Sequence, residues 1–82
     1  MNVDIVVPST ADGSLEVTIV AWLRKPGDSV ARGQDVAEAS TEKITLYITA
    51  PADGVLESIR IPEGKKARVG EVVGVITAPG EG

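Results

Sequence analysis

The chain of 82 residues has no cysteine and no histidine, so it carries no disulfide framework, no thiolate chemistry and neither of the side chains most used as general base or metal ligand. One tryptophan and one tyrosine leave almost nothing for bases to stack on, and 12 acidic against 8 basic residues, net charge -4, disfavour a phosphate backbone as partner. No apolar run approaches the roughly 20 residues of a membrane span. Asp4 stands where a secretory signal would be basic and apolar. The expectation is a soluble intracellular protein without nucleic-acid or membrane partners. A chain of this length makes one domain with a small core. Nowhere does a helical period persist.

What persists is the period of the half-buried strand. Val3, Ile5 and Val7 stand at alternate positions until Pro8 removes a ladder donor. From Val17 to Leu23 the run is β-branched, with Val17, Ile19, Ala21 and Leu23 on one face and Thr18, Val20 and Trp22 on the other, so this strand is expected to be covered on both sides. Lys25-Pro26-Gly27-Asp28 is a tight turn, with proline and glycine in the places a type II turn favours. A short strand from Ser29 to Ala31, a turn at Arg32-Gly33-Gln34 and a strand from Val36 to Thr41 follow. Ile44, Leu46 and Ile48 then alternate with Thr45, Tyr47 and Thr49. Val55 to Ile61 and Val72 to Thr77 complete the pattern, broken by Pro51-Ala52-Asp53-Gly54, Pro62-Glu63-Gly64-Lys65 and Val69-Gly70-Glu71. About eight short strands with closely spaced turns indicate an all-β sandwich or flattened barrel.

The sequence also repeats itself. Ala11-Asp12-Gly13-Ser14-Leu15-Glu16 returns as Ala52-Asp53-Gly54-Val55-Leu56-Glu57, an offset of 41 (54 − 13), and Gly27, Gly33 and Val36 return as Gly64, Gly70 and Val73, an offset of 37 (64 − 27). If duplicated halves pack about a pseudo-two-fold axis, the corner Thr41-Glu42-Lys43-Ile44 between the central strands lies opposite the two chain termini. The Glu-Lys pair lacks the Gly or Asn of a primed hairpin turn, which leaves the turn type open. Lys43 is thereby a lysine at one pole of the domain. Ala78-Pro79-Gly80-Glu81-Gly82 has the composition of a linker.

Glu38, Thr41-Glu42-Lys43, Ala50-Pro51-Ala52-Asp53-Gly54-Val55, the upstream Trp22-Leu23-Arg24-Lys25-Pro26-Gly27-Asp28 and the downstream Glu63-Gly64 together resemble the lipoyl domain of 2-oxo acid dehydrogenase complexes, over essentially the whole chain. The resemblance implies two four-stranded antiparallel sheets related by a pseudo-two-fold axis, a barrel-sandwich hybrid, over residues 1–78, with 79–82 as a tail or the start of a linker. It further implies that Lys43 carries lipoic acid in amide linkage and that Glu42 matches the acidic residue before the lysine. The domain is then no enzyme but a monomeric carrier, part of a dihydrolipoamide acyltransferase. Its implied partners are a lipoate ligase or lipoyl transferase, a thiamine-dependent 2-oxo acid decarboxylase, the acyltransferase core and a flavin dihydrolipoyl dehydrogenase, which together do the bond making. Such a swinging arm raises the local concentration of the cofactor at several active sites. The setting implied is bacterial cytoplasm, or the mitochondrial matrix in a eukaryote.

Around the lysine, recognition is expected from Thr41, Glu42 and Ile44 and, by resemblance, from Thr10, Ala11 and Asp12 in the loop after the first strand. Three features depart from the family pattern: Ile44 where a small residue is frequent, Tyr47 where an acid is frequent, and Thr10-Ala11-Asp12 in place of a Leu-Gly-acid run. They leave the choice among acetoin-type, branched-chain and 2-oxoglutarate complexes open. A biotin carrier shares the fold but typically holds its lysine between methionines, whereas Glu42 and Ile44 flank Lys43 and the sole methionine is Met1. An unmodified lipoyl-like module of efflux adaptors usually inserts a helical hairpin between the halves, and none separates Thr41 from Thr45. A glycine cleavage carrier is normally longer. Trp22 reads as a packing residue, Lys65, Lys66 and Arg68 as a solvated edge, and the carboxylate pairs Glu38/Glu42 and Asp53/Glu57 as surface charge without a pocket.

Overall fold

A computed structural model describes residues 1–79, and the linker reading of Gly80, Glu81 and Gly82 lies outside the described residues. Eight strands form: β1 (Asn2–Val6), β2 (Glu16–Trp22), β3 (Ser29–Val30), β4 (Asp35–Ser40), β5 (Thr45–Thr49), β6 (Gly54–Ile59), β7 (Lys66–Arg68) and β8 (Val72–Thr77). They make two four-stranded antiparallel sheets, in the orders β1-β8-β6-β3 and β5-β4-β2-β7, as the sequence pattern led one to expect. The inward residues of the alternating runs meet between the sheets, and Ile5, Val7, Val17, Ile19, Val36, Ile48, Leu56, Val73 and Ile76 are fully buried there. Among the described residues the run Lys66–Arg68 is an edge strand that pairs only with β2, and its outward Lys66 and Arg68 stay exposed.

The duplication extends to the hydrogen-bond register. Ile19, Ala21 and Trp22 of β2 face Ala39, Glu38 and Ala37 of β4, and 37 residues on (56 − 19) Leu56, Ser58 and Ile59 of β6 face Ile76, Val75 and Gly74 of β8. Turn bonds repeat as well: Gly27 N–H donates to Leu56 O at 2.8 Å, and Gly64 N–H to Ile19 O at 2.7 Å. By the same correspondence the β4–β5 hairpin is the counterpart of the meeting of the termini. There Asn2 pairs with Thr77, and Ala78 N–H donates to Met1 O at 2.8 Å. The two features therefore occupy opposite ends of the domain.

One expectation about β2 is corrected. Strict alternation puts Trp22 opposite Val17 and Ile19, but the register shifts between Ile19 and Ala21, leaving Val20 as the extra residue of a β-bulge. The bulge reverses the remainder of the strand. Trp22 turns to the core side against Ala37, its indole N–H donates to Ile61 O at 2.9 Å, and Leu23 is left 40% exposed. Among the described residues no further layer covers the outer face of β2, where Val20 is 44% exposed.

Candidate functional site

The β4–β5 connection is a four-residue loop, Thr41 to Ile44, closed by Thr41 N–H donating to Ile44 O at 2.9 Å beyond the paired Ser40 and Thr45. No residue other than glycine has positive φ among the described residues, so the primed turn that the sequence lacked the residues for is not formed. The Thr41 side chain supplies the missing closure. Its Oγ1 accepts from Lys43 N–H and from Ile44 N–H, both at 3.1 Å, much as a capping threonine satisfies the first free amides of a helix. Glu42 and Lys43 are thereby held at the apex with both side chains exposed, while Ile44 and Thr41 are half-buried. Among the described residues the Lys43 amine has no hydrogen-bond or ion-pair partner.

The loop after β1 packs beside this apex. Asp12 is the joint: its Oδ2 accepts from the Thr41 hydroxyl at 2.8 Å and its Oδ1 from Ser14 N–H at 3.0 Å. The loop closes on itself through Thr10, whose hydroxyl donates to Ser14 O at 2.8 Å and whose carbonyl accepts from Gly13 N–H at 3.2 Å. Gly13 occupies the left-handed region at φ 77°, which a β-carbon would make costly. The Ser14 amide first, and then the Thr41 hydroxyl, hold the Asp12 carboxyl well below the usual carboxylate range, because each donates to the ionised form.

Of the residues expected at the site, Asp12, Thr41, Glu42 and Lys43 line one open cleft of about 610 Å³, whereas Thr10, Ala11 and Ile44 lie outside its lining. Among the other lining residues, Ser14 and Leu15 were not singled out as site residues in the sequence, and Lys66 was expected only as part of a solvated edge. Ser14 anchors Asp12, Leu15 is 80% exposed beside the cleft, and Lys66 stands 4.0 Å from Glu16 in an exposed ion pair at its rim. Leu15 sits just before β2 and shares the parity of Val17 and Ile19, so alternation alone assigns it inward. The Asp12–Thr41 bond had one signal in the chain, a turn-forming Asp-Gly and a threonine two residues before the lysine, but nothing in local spacing joins residues 29 apart.

A family model described as "Biotin-requiring enzyme", covering biotin and lipoyl attachment domains, matches residues 3–76. The solution structure of the lipoyl domain of the 2-oxoglutarate dehydrogenase complex from Azotobacter vinelandii superposes with a TM-score of 0.73 at 32% identity, over 95% of this chain and 99% of that one. The chain belongs to the lipoyl-domain family of 2-oxo acid dehydrogenase complexes. Its lipoyl fold is also 42% identical over 76 residues to the dihydrolipoyllysine-residue succinyltransferase component of the 2-oxoglutarate dehydrogenase complex of Rickettsia conorii, and 38% identical over 74 residues to that of Bacillus subtilis. Those stretches cover 93% and 90% of this chain but 19% and 18% of the relatives, so the lipoyl domain spans about a fifth of their length.

Proposed function

We propose that this lipoyl domain is a swinging-arm carrier, with lipoic acid joined to Lys43 and with acyl groups and reducing equivalents moved between the active sites of a 2-oxo acid dehydrogenase complex. The observation that carries the reading is the position of Lys43: an exposed amine, without a partner among the described residues, at the apex of the β4–β5 hairpin and at the end of the domain away from Met1 and Ala78. The donor chemistry fits. A primary amine free of ion pairs among the described residues can give up its proton and attack a carboxyl group that the ligase has activated, the activating group leaving as the amide forms, and the loss of its charge breaks no ion pair among those residues.

When attached, lipoic acid supplies a disulfide–dithiol couple on a long tether and a sulfur that takes and releases acyl groups. The chain's own contribution is presentation. Strands β4 and β5 make the base of the hairpin rigid, Thr41 closes its turn, and the exposed Glu42 and Ala11 with the half-buried Ile44, Thr10 and Asp12 are the surface on which a lipoate ligase and a thiamine-dependent decarboxylase would recognise the arm. The absence of cysteine from the sequence suits this role, since no protein thiol competes for the dithiol.

The partners follow from the same reading: the ligase or lipoyl transferase, the decarboxylase, the acyltransferase core and the flavin dihydrolipoyl dehydrogenase. Among the complexes left open by the residues around Lys43, the 2-oxoglutarate complex is favoured by the relatives from Rickettsia, Bacillus and Azotobacter, all bacterial, which also favour a bacterial cytoplasmic setting. The deciding experiment is the intact mass of the parent chain and of Lys43→Ala after incubation with lipoate or biotin and the matching ligases. Lipoyl addition to the parent alone upholds the carrier reading. Biotin addition alone transfers the chain to the biotin carriers, and addition of neither makes it an unmodified structural module.

A further inference from the structure

We propose that Asp12 is the positioning residue of the lysine turn, acting through Thr41 to fix the direction in which Lys43 is presented; this rests on Lys43 being the modified residue. A threonine hydroxyl has one proton to give and two lone pairs to accept with. In the turn both lone pairs are engaged, by Lys43 N–H and Ile44 N–H at 3.1 Å each. Those contacts require the hydroxyl proton to point elsewhere. Asp12 Oδ2, 2.8 Å away on a loop 29 residues earlier in the chain, is the acceptor that takes it.

An ionised carboxylate offers only lone pairs, so it selects this one orientation of the Thr41 hydroxyl and no other. Its second oxygen is tied to Ser14 N–H, which fixes the carboxylate in turn. The Asp12 loop is thus coupled to the backbone on both sides of the lysine. The sequence of the turn gives it no glycine, asparagine or proline to hold its shape, so this side-chain chain of contacts stands in for intrinsic turn propensity. The pseudo-symmetric carboxylate shows that the arrangement is specific to the lysine end. Asp53, the counterpart of Asp12 in the sequence repeat, accepts from Arg32 N–H at 2.7 Å.

If the turn samples other shapes, a ligase meets the competent one only part of the time. Its apparent affinity falls by that fraction while the chemical step is untouched. The test uses the unmodified chain, with Asp12→Ala, Thr41→Val and Thr41→Ser, and with Asp53→Ala as the control for removing a loop carboxylate elsewhere. Two quantities are measured: amide hydrogen exchange at Lys43 and Ile44 by NMR, and the rate of lipoylation of Lys43 by lipoate ligase as a function of domain concentration. Expected are exchange about tenfold faster at both amides and a KM for the domain about tenfold higher in Asp12→Ala and Thr41→Val, with kcat little changed. Thr41→Ser keeps the hydroxyl and restores both, and Asp53→Ala changes neither.

Amides of Ile19 and Leu56, bonded to Lys65 O and Asp28 O, report whether the fold itself has loosened. Unchanged exchange at Lys43 and Ile44 in Asp12→Ala overturns the positioning role. So does a loss of lipoylation confined to kcat, or one matched by Asp53→Ala. Failure of the parent chain to accept lipoate is a separate result: it overturns the carrier reading, and the presentation role with it, whatever the amides do.

Discussion

A β-carbon added at Gly74 would stand 3.0 Å from Cη2 of Trp22 and 3.0 Å from the carbonyl oxygen of Ser58. The relationship comes from the way the repeat is broken. Where the first half sets Trp22 against Ala37, the second sets Ile59 against Gly74, and the indole reaches between the sheets into the room that the missing side chain leaves. Gly74→Ala is expected to destabilise the domain by about 1–3 kcal/mol, the usual cost of overpacking, because the Ser58 contact is backbone and cannot rotate away. A urea midpoint equal to that of the parent would show that the indole simply swings aside.

The indole itself has two roles that substitutions separate. Trp22→Phe keeps most of the ring but loses the N–H that Ile61 O accepts, and should cost about 1 kcal/mol for the bond. Trp22→Ala removes the ring as well and should cost about 3 kcal/mol or more. As this is the sole tryptophan, unfolding has to be followed by circular dichroism instead of fluorescence. Equal losses in the two variants would mean that the hydrogen bond, and not the packing, is what the residue supplies.

The same residue marks the limit of what the chain discloses by itself. Alternation in Val3, Ile5 and Val7 or in Ile44, Leu46 and Ile48 names strands, and the returning Gly27/Gly64 and Gly33/Gly70 turns name the duplication, because each is written in neighbouring residues. The bulge at Val20 is not. It depends on how β2 registers against β4, and one unpaired residue reverses the facing of everything after it, which is why alternation sends Trp22 outward and Leu23 inward. At the candidate site, the place of Lys43 at a hairpin apex was legible from the corner between two apolar runs. The closure of its turn was not, because a hydroxyl and a carboxylate 29 residues apart do the work that a Gly or Asn would have announced.

Acid should reveal the Asp12 contacts with a definite sign. Ser14 N–H and the Thr41 hydroxyl lower the carboxyl pKa in the folded chain below its unfolded value of about 3.9. Their contribution is fully present above that unfolded value and disappears as pH falls through the folded one. The stability difference between the parent and Asp12→Asn is therefore expected to be constant from pH 7 to about 5, to begin closing near 4, and to persist in part at pH 3. Urea midpoints of the two chains across that range measure it. A difference that has gone by pH 4 would mean that the carboxylate is not held by these donors.

Lys43 and Thr41, two residues apart on the same turn, should respond to substitution in opposite ways. Lys43→Ala removes an exposed side chain that bonds to nothing among the described residues, so its stability should stay within about 0.5 kcal/mol of the parent while its capacity for lipoylation is lost completely. Thr41→Val keeps the shape of the side chain but leaves the amides of Lys43 and Ile44 and the Asp12 carboxylate short of a partner. A loss of about 1–2 kcal/mol is expected, small because the apex is open to water and solvent can replace the bonds. Thermal unfolding of the two variants beside intact mass after ligase treatment separates the effects. Destabilisation by Lys43→Ala equal to that of Thr41→Val would mean that the amine has a structural partner in solution, and the picture of a free arm on a braced turn would have to be given up.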